Sequence, residues 1–168
     1  MRLALPFELK GLDSDNGSEF INDHLLRFCQ QHHIQFTRGR PYKKDDNAHI
    51  EQKNWTHVRK VLGWERYDSR RALNAINAFY RGRWRVMMNL FQPSIKLIGK
   101  QRKGSRLVRH YDVPQTPLDR LLANPNECPE TLKHWQQQRT QSDAFVLAEE
   151  IEHRLRAIWD LANHRQDP

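Results

Sequence analysis

Two acidic residues, Asp15 and Glu51, are of a type that can bind a metal ion. Asp15 lies in the stretch SDNGSEF, where a short apolar segment ends and the dipeptide NG predicts a turn. A gap of 35 residues separates it from Glu51 in the stretch NAHIEQKNW. Carboxylates that converge from different elements can hold Mg²⁺, a hard cation that prefers oxygen ligands. Two such ions can promote in-line displacement at phosphorus.

The elements predicted around these acids would place them on different parts of a fold. Residues 9–16 predict a short strand that ends at Asp15, followed by a helix over about 19–33 and a strand over 33–38. A polar loop with Gly and Pro, residues 39–47, leads into a helix over about 48–62. The sequence therefore predicts a strand–helix–strand–loop–helix order, with Asp15 at the end of the first strand and Glu51 in the last helix.

The helix over 48–62 has apolar residues at spacings of 3 and 4, which predicts one inward-facing stripe. That stripe includes Glu51 and reads Ala48, Glu51, Trp55, Val58 and Leu62. We expect Trp55 and Val58 to pack inward and to aim the Glu51 carboxylate. A core-facing carboxylate is costly unless it is paired or bound to a cation. The alternative is a half-buried Glu satisfied by a nearby Arg or amide.

A second long helix and a helical C-terminal region complete the prediction. The helix over about 70–91 ends before Pro93, and its stripe is Leu73, Ile76, Tyr80, Trp84 and Met87. A short helix through 122 and two helices over 130–140 and 143–163 follow. The last helix is amphipathic, with Ser142 as a candidate N-cap. Its apolar stripe would pack either on the body of the protein or on a second chain.

Between these helical regions, residues 94–112 predict a basic β-hairpin. Two short apolar runs flank a Gly-containing turn, and the segment carries many cations: Lys96, Lys100, Arg102, Lys103, Arg106 and Arg109. Such a hairpin could contact phosphates, or it could be a solvated charged edge. The candidate nucleic-acid-binding residues of the whole chain are Arg38, Arg40, Lys43, Lys44, Lys53, Lys60, Lys100, Arg102, Lys103 and Arg106.

Overall charge favours a polyanionic partner. Lys and Arg number 28 against 20 Asp and Glu, a net charge of +8, so DNA is the expected partner and basic solubility the alternative. Cys29 and Cys128 predict reduced thiols rather than a disulfide framework. We find no apolar run long enough to span a membrane and no signal peptide, and we expect a cytoplasmic, nucleoid-associated bacterial protein.

SDNGSEF, the 35-residue gap, the basic loop and NAHIEQKNW together resemble the retroviral-type integrase core that many insertion-sequence transposases share. HYDVPQTPLDRLL, residues 110–122, is similar to the segment that trails this core in bacterial members. The resemblance implies an α/β, ribonuclease-H-like fold and transfer of DNA strands. It identifies Asp15 with the second Asp, and Glu51 with the Glu, of an Asp-Asp-35-Glu triad. It also implies Mg²⁺ or Mn²⁺ as the cofactor.

No residue of this sequence matches the first Asp of the triad. Asp13 lies on the same strand as Asp15, and Asp45 and Asp46 fall in the loop, so none of them replaces it. We therefore expect an N-terminally truncated, inactive transposase with weakened metal binding. It would keep about two of five sheet strands and expose apolar helix faces such as Trp55.

The expected organisation is the C-terminal part of an integrase core over 1–92, a basic hairpin or linker over 93–113 and a helical tail over 114–168. One alternative is a non-catalytic remnant that binds DNA, self-associates or assembles with a full-length transposase. Another is a different nuclease of the same fold, against which the 35-residue spacing argues.

Overall fold

The computed structural model describes residues 5–14, 23–40, 48–124 and 129–163. The chain is mixed α/β and divides into two units, residues 1–64 and 65–168. In the N-terminal unit lie β1 (Gly11–Ser14), α1 (Asp23–Gln31), β2 (Gln35–Arg38), α2 (Ala48–Asn54), a π-helical turn (Trp55–Arg59) and α3 (Lys60–Leu62). In the C-terminal unit lie α4 (Arg70–Arg81), α5 (Arg83–Val86), a π-helical turn (Met87–Phe91), β3 (Leu97–Lys103), β4 (Arg106–Tyr111), α6 (Pro117–Leu122), α7 (Pro129–Gln141) and α8 (Ala144–Trp159).

The predicted strand–helix–strand order is present in the N-terminal unit. β1 and β2 pair in parallel, with Gly11 opposite Gln35 and Ser14 opposite Arg38. The hydroxyl of Thr37 donates to Oδ1 of Asp13, its partner across the ladder, at 2.9 Å. A parallel pair needs a crossover connection, which usually contains a helix, and α1 lies within this connection.

A left-handed residue joins α1 to β2. His33 has φ of 53°, and the amide of Ile34 donates to the carbonyl of Cys29 at 2.8 Å. This arrangement closes a helix end by satisfying a carbonyl that the helix leaves unpaired. The reversal brings Ile34 to a buried position near Cys29, which is also buried, so these two side chains form the small core of this region.

The helix that carries Glu51 differs from the prediction. A π-helical turn over Trp55–Arg59 separates α2 from α3, so the spacing of 3 and 4 does not continue along one face. Most of the inward stripe predicted from Ala48 to Leu62 is wrong, because Ala48, Glu51, Trp55 and Val58 are exposed and only its last member, Leu62, is buried. Trp55 and Val58 are exposed, so the prediction that they pack inward and aim Glu51 is wrong. Their exposure is what we expect of a chain that lacks several sheet strands.

The helix predicted over 70–91 is interrupted at Gly82, whose backbone leaves the helical region. Its buried residues are Ala72, Phe79, Val86 and Leu90. The predicted stripe beginning at Leu73 is wrong, since Leu73 itself is 48% exposed. Apolar side chains occur on both faces of this segment, and the face covered by α8 is the one that is buried.

The C-terminal helices form the core of this unit with α4 and α5. Leu147, Ile151 and Ile158 of α8 are buried, as the amphipathic pattern predicted, and α8 packs on α4, α5 and the second π-helical turn. The stripe therefore packs on the body of this unit. Asp143, not Ser142, caps α8, accepting from the amides of the first turn.

The boundary between the units also differs from the expected organisation. Residues 65–91 belong with the C-terminal helices, whereas we predicted that they would continue the N-terminal region. The reason is that the buried face of α4 and α5 packs against α8. Cys29 is a free thiol at a buried position, while Cys128 lies outside the described residues. No helix in the described ranges has the length and apolar content needed to cross a bilayer.

Candidate nucleic-acid interface

The basic hairpin predicted from the sequence is present in the C-terminal unit. β3 and β4 pair antiparallel, with Lys103 opposite Arg106. Gly104 takes φ of +62° in the two-residue connection, as the first loop position of a type II′ turn requires. A bulge at Ile98, between Leu97 and Gly99, interrupts the register near the base.

The register assigns the cations to two faces, because residues opposite one another in a ladder project to the same side and neighbours along a strand alternate. Lys100 lies opposite Arg109, and Arg102 lies opposite Leu107, which defines a three-cation face of Lys100, Arg102 and Arg109. The other side carries the two-cation face, Lys103 and Arg106.

All five of these cations are exposed, and none forms an ion pair with an acid in the described residues. No Asp or Glu occurs between residues 97 and 111. Exposed Leu107 and Tyr111 lie two residues before and two residues after Arg109 on the same strand, so they project to the three-cation face as well. The hairpin therefore presents a concentrated positive charge that the described part of the protein does not neutralise.

An ion pair clamps the base of the hairpin. Nη1 of Arg120 in α6 donates to Oδ2 of Asp112, and Nη2 donates to the carbonyl of Ser94 at 2.6 Å. Oδ1 of Asp112 accepts from the amide of Lys96. These hydrogen bonds hold the pKa of Asp112 below its usual value of 3.8, and the bond from the Arg120 guanidinium has the largest effect. The Arg120 and Asp112 side chains are only 17% and 18% exposed, so this pair is better shielded than the other ion pairs described.

The helix that supplies Arg120 is itself firmly anchored. Thr116 caps α6 and forms a capping box with Asp119, with Pro117 in the first turn. Nη1 of Arg139 in α7 donates to Oδ1 of Asp119 at 2.6 Å. The Arg139 and Thr116 hydrogen bonds lower the pKa of Asp119. The hairpin is thus attached to α6, which is attached to α7, and sequence patterns had not indicated this chain of contacts.

Of the two predicted metal ligands, the structure describes Glu51 and not Asp15. Asp15 lies outside the described residues, directly after β1. Glu51 lies in α2 with an exposed side chain, so the prediction that it faces the protein is wrong. The π-helical turn that follows changes the helical phase and leaves this face in solvent. Among the described residues, no group of three or more His, Cys, Asp or Glu side chains is arranged to hold a metal.

The remaining nucleic-acid candidates lie in the N-terminal unit. Arg38 at the end of β2, Arg40 after it, and Lys53 and Lys60 are all exposed. Lys43 and Lys44 lie outside the described residues. In the C-terminal unit, the hairpin candidates Lys100, Arg102, Lys103 and Arg106 all lie on the paired strands β3 and β4.

An aromatic cluster in the N-terminal unit was not anticipated. Trp55 and Trp64 have ring centroids 6.4 Å apart, and the guanidinium carbon of Arg59 lies 4.4 Å from the centroid of a Trp64 ring. Gly63, with φ of +74° and ψ of −156°, ends α3 and reverses the chain so that Trp64 meets the helix. The signal that could have revealed it is this glycine followed by tryptophan.

Comparison with known proteins found a relative by sequence similarity. The chain is 40% identical over 119 residues to a Sinorhizobium fredii protein designated "uncharacterized protein y4rM". The alignment covers 71% of this chain and 34% of that protein, so the chain spans about a third of the length of the relative it matches. No protein-family profile matches the chain, and no solved structure matches it.

Proposed function

We propose that this chain is part of a transposase or integrase of the Asp-Asp-35-Glu type, and that its own contribution is to bind DNA through the β3–β4 hairpin. The observation that best supports DNA binding is that the hairpin has five exposed cations, none of which has an acidic partner in the described residues. Contacts of Lys and Arg with phosphates release counterions and supply most non-specific affinity for DNA. The Arg120–Asp112 clamp supports this role because it holds the hairpin at a defined base.

The family proposal rests on the resemblance of SDNGSEF and NAHIEQKNW and on the order of elements around them. Asp15 directly follows β1, α1 connects β1 to its parallel neighbour β2, and Glu51 lies in the next helix. We propose that β1 and β2 are two of the five strands of a ribonuclease-H-like sheet. We therefore propose that the protein is located in the bacterial cytoplasm, in association with the nucleoid.

The ancestral reaction in this proposal is metal-dependent phosphoryl transfer. Asp15 and Glu51 would be ligands of Mg²⁺ or Mn²⁺, which when bound activates the attacking oxygen. The described residues do not by themselves complete such a site, and Glu51 is exposed. Because only two of the three family carboxylates can be matched in the sequence, we expect the chain alone to bind DNA without joining it.

The same hairpin supports a second candidate, a non-catalytic DNA-binding protein that assembles with a full-length transposase. Exposed apolar side chains of the C-terminal unit, Leu73 and Phe145, supply surface for such an assembly. The two candidates differ in what happens when a full-length transposase is added. A catalytic contribution requires Glu51, whereas a purely DNA-binding role does not.

The test of DNA binding is fluorescence anisotropy of a labelled duplex with the purified chain. We expect affinity with little sequence preference and a marked loss with added salt. The double variant Lys100→Gln/Arg102→Gln should weaken binding, while Arg154→Gln, which removes an exposed cation from α8, should not. Equal affinity of the hairpin variant and the original chain would refute the proposed interface.

The test of catalysis uses a labelled DNA end, Mg²⁺ and the same purified chain. We expect no joining, and we expect Asp15→Asn and Glu51→Gln to retain DNA affinity. Mg²⁺-dependent joining that Glu51→Gln abolishes would show that the chain is active by itself, contrary to this proposal.

A further inference from the structure

We propose that Trp55, Trp64 and Arg59 form a stacking site for unpaired nucleobases of single-stranded DNA. This inference rests on the proposed function, because it assigns a DNA-contacting role to a surface apart from the hairpin. Trp64 is 74% exposed and Trp55 is 48% exposed. Proteins that bind single strands use exposed aromatic side chains as platforms on which bases stack.

The local backbone builds this platform. α3 ends at Leu62, and Gly63 adopts a conformation that is essentially restricted to glycine. The chain then reverses, and Trp64 lies against the side chain of Arg59, five residues earlier. A cation over one ring face orients the indole, and the high exposure of Trp64 leaves ring surface available for a base.

The geometry of the two rings indicates how a base would bind. Their centroids are 6.4 Å apart, and the ring planes are inclined by 47°. Stacked bases lie about 3.4 Å apart, so a base inserted between two rings needs parallel planes separated by about 7 Å. The inclined pair does not offer that slot. A base therefore stacks on the open surface of Trp64, and Trp55 supports the edge of the site.

The charge around the cluster is complementary to a nucleic acid backbone. Residues 52–64 contain Lys53, Arg59 and Lys60 but no acid. Burial, with a smaller effect of Lys53, lowers the pKa of His57, so this imidazole adds less positive charge than an unperturbed histidine would. Lys53 and Lys60 are exposed and available to phosphates. Acids occur only at the flanks, where Glu51 precedes Trp55 by one helical turn and Glu65 follows Trp64.

This arrangement favours single strands over duplexes. Bases within a duplex are stacked on each other and hide their faces, whereas an unpaired base has a free face for an indole. Glu51, the proposed metal ligand, lies one turn from Trp55, so an unpaired base at this site would be near the segment proposed to act on phosphate. The cations of the hairpin, in contrast, can contact the phosphate backbone of either form of DNA.

The experiment compares a fluorescent oligothymidine and a duplex of equal length, with binding followed by anisotropy and by quenching of tryptophan fluorescence. Trp64→Leu keeps apolar bulk but removes the ring, and Trp64→Phe restores a stackable ring. Trp159→Leu, at an exposed tryptophan of α8, is the matched control. We expect Trp64→Leu to lower affinity for oligothymidine about 5- to 100-fold. Trp64→Phe should recover most of it, and duplex affinity should remain unchanged.

Several outcomes would overturn the stacking site. One is unchanged oligothymidine affinity in Trp64→Leu, and another is an equal loss for oligothymidine and duplex. A third is loss of self-association in sedimentation velocity without any change in DNA affinity, which would assign the cluster to a contact between copies. If the original chain binds duplex through the hairpin but not oligothymidine, this inference fails while the proposed function stands. If the chain binds neither, both fail.

Discussion

The two faces of the hairpin carry different numbers of cations, so the salt dependence of binding should reveal which face meets DNA. Each neutralised phosphate contributes about −0.9 to the slope of log affinity against log salt. The three-cation face, Lys100, Arg102 and Arg109, therefore predicts a slope of about −2.7. If Lys103 and Arg106 also bind, the slope becomes about −4.5.

We predict that duplex DNA meets the three-cation face. Exposed Leu107 and Tyr111 lie toward this side, whereas Val108 on the other side is half-buried and therefore partly covered by protein. Between about 50 and about 200 mM salt, three contacts predict a loss of affinity of about 40-fold and five predict about 500-fold. These two values are far enough apart to distinguish by anisotropy.

The assay measures duplex affinity at several salt concentrations for two neutralised variants. Changing Lys100, Arg102 and Arg109 to Gln should reduce the magnitude of the slope by about 2.7, while Lys103→Gln/Arg106→Gln should change it little. Arg154→Gln is the charge control, and far-UV circular dichroism should confirm that each variant is folded. A larger change of slope in the Lys103/Arg106 variant, or a slope independent of all five cations, would refute the assignment of the face.

Three further predictions test the packing around the two candidate surfaces. Leu90→Ala should cost about 2–5 kcal/mol in the free energy of unfolding, because Leu90 is buried, whereas Leu73→Ala should cost less than about 1 kcal/mol; equal costs in urea denaturation would contradict the observed buried face. The pKa of Asp112 is lowered in the folded state, so its stabilising contribution is present above the usual value of 3.8 and is lost as the pH falls through the lowered pKa; acid unfolding that Asp112→Asn does not alter would show that the clamp contributes little. Gly63→Ala should destabilise the chain by about 1–3 kcal/mol and displace Trp64. No neighbouring atom would clash with the new methyl group, but the positive φ at residue 63 is strained for any residue with a side chain. An unchanged melting temperature would contradict this strain.

The features that followed from the sequence are those governed by neighbouring residues. The hairpin is the clearest example, because two β-rich runs around a glycine-containing turn determine it locally. The strand–helix–strand order and the buried stripe of α8 were also correct, since a single periodic pattern dominates each segment. The concentration of cations on the hairpin could be predicted from the sequence once its two strands were expected to pair.

Features that depend on distant parts of the chain required the tertiary structure. Periodicity in the 70–91 segment predicted the stripe that begins at Leu73, whereas packing against α8 buries the face that contains Phe79 and Leu90. The π-helical turn after α2 changed the phase of that helix and left Glu51 in solvent. The Arg120–Asp112 clamp and the Trp55–Trp64 pair depend on where the chain reverses. A pattern along the sequence shows that a face is apolar or charged, but only the element packed against it decides whether that face is buried.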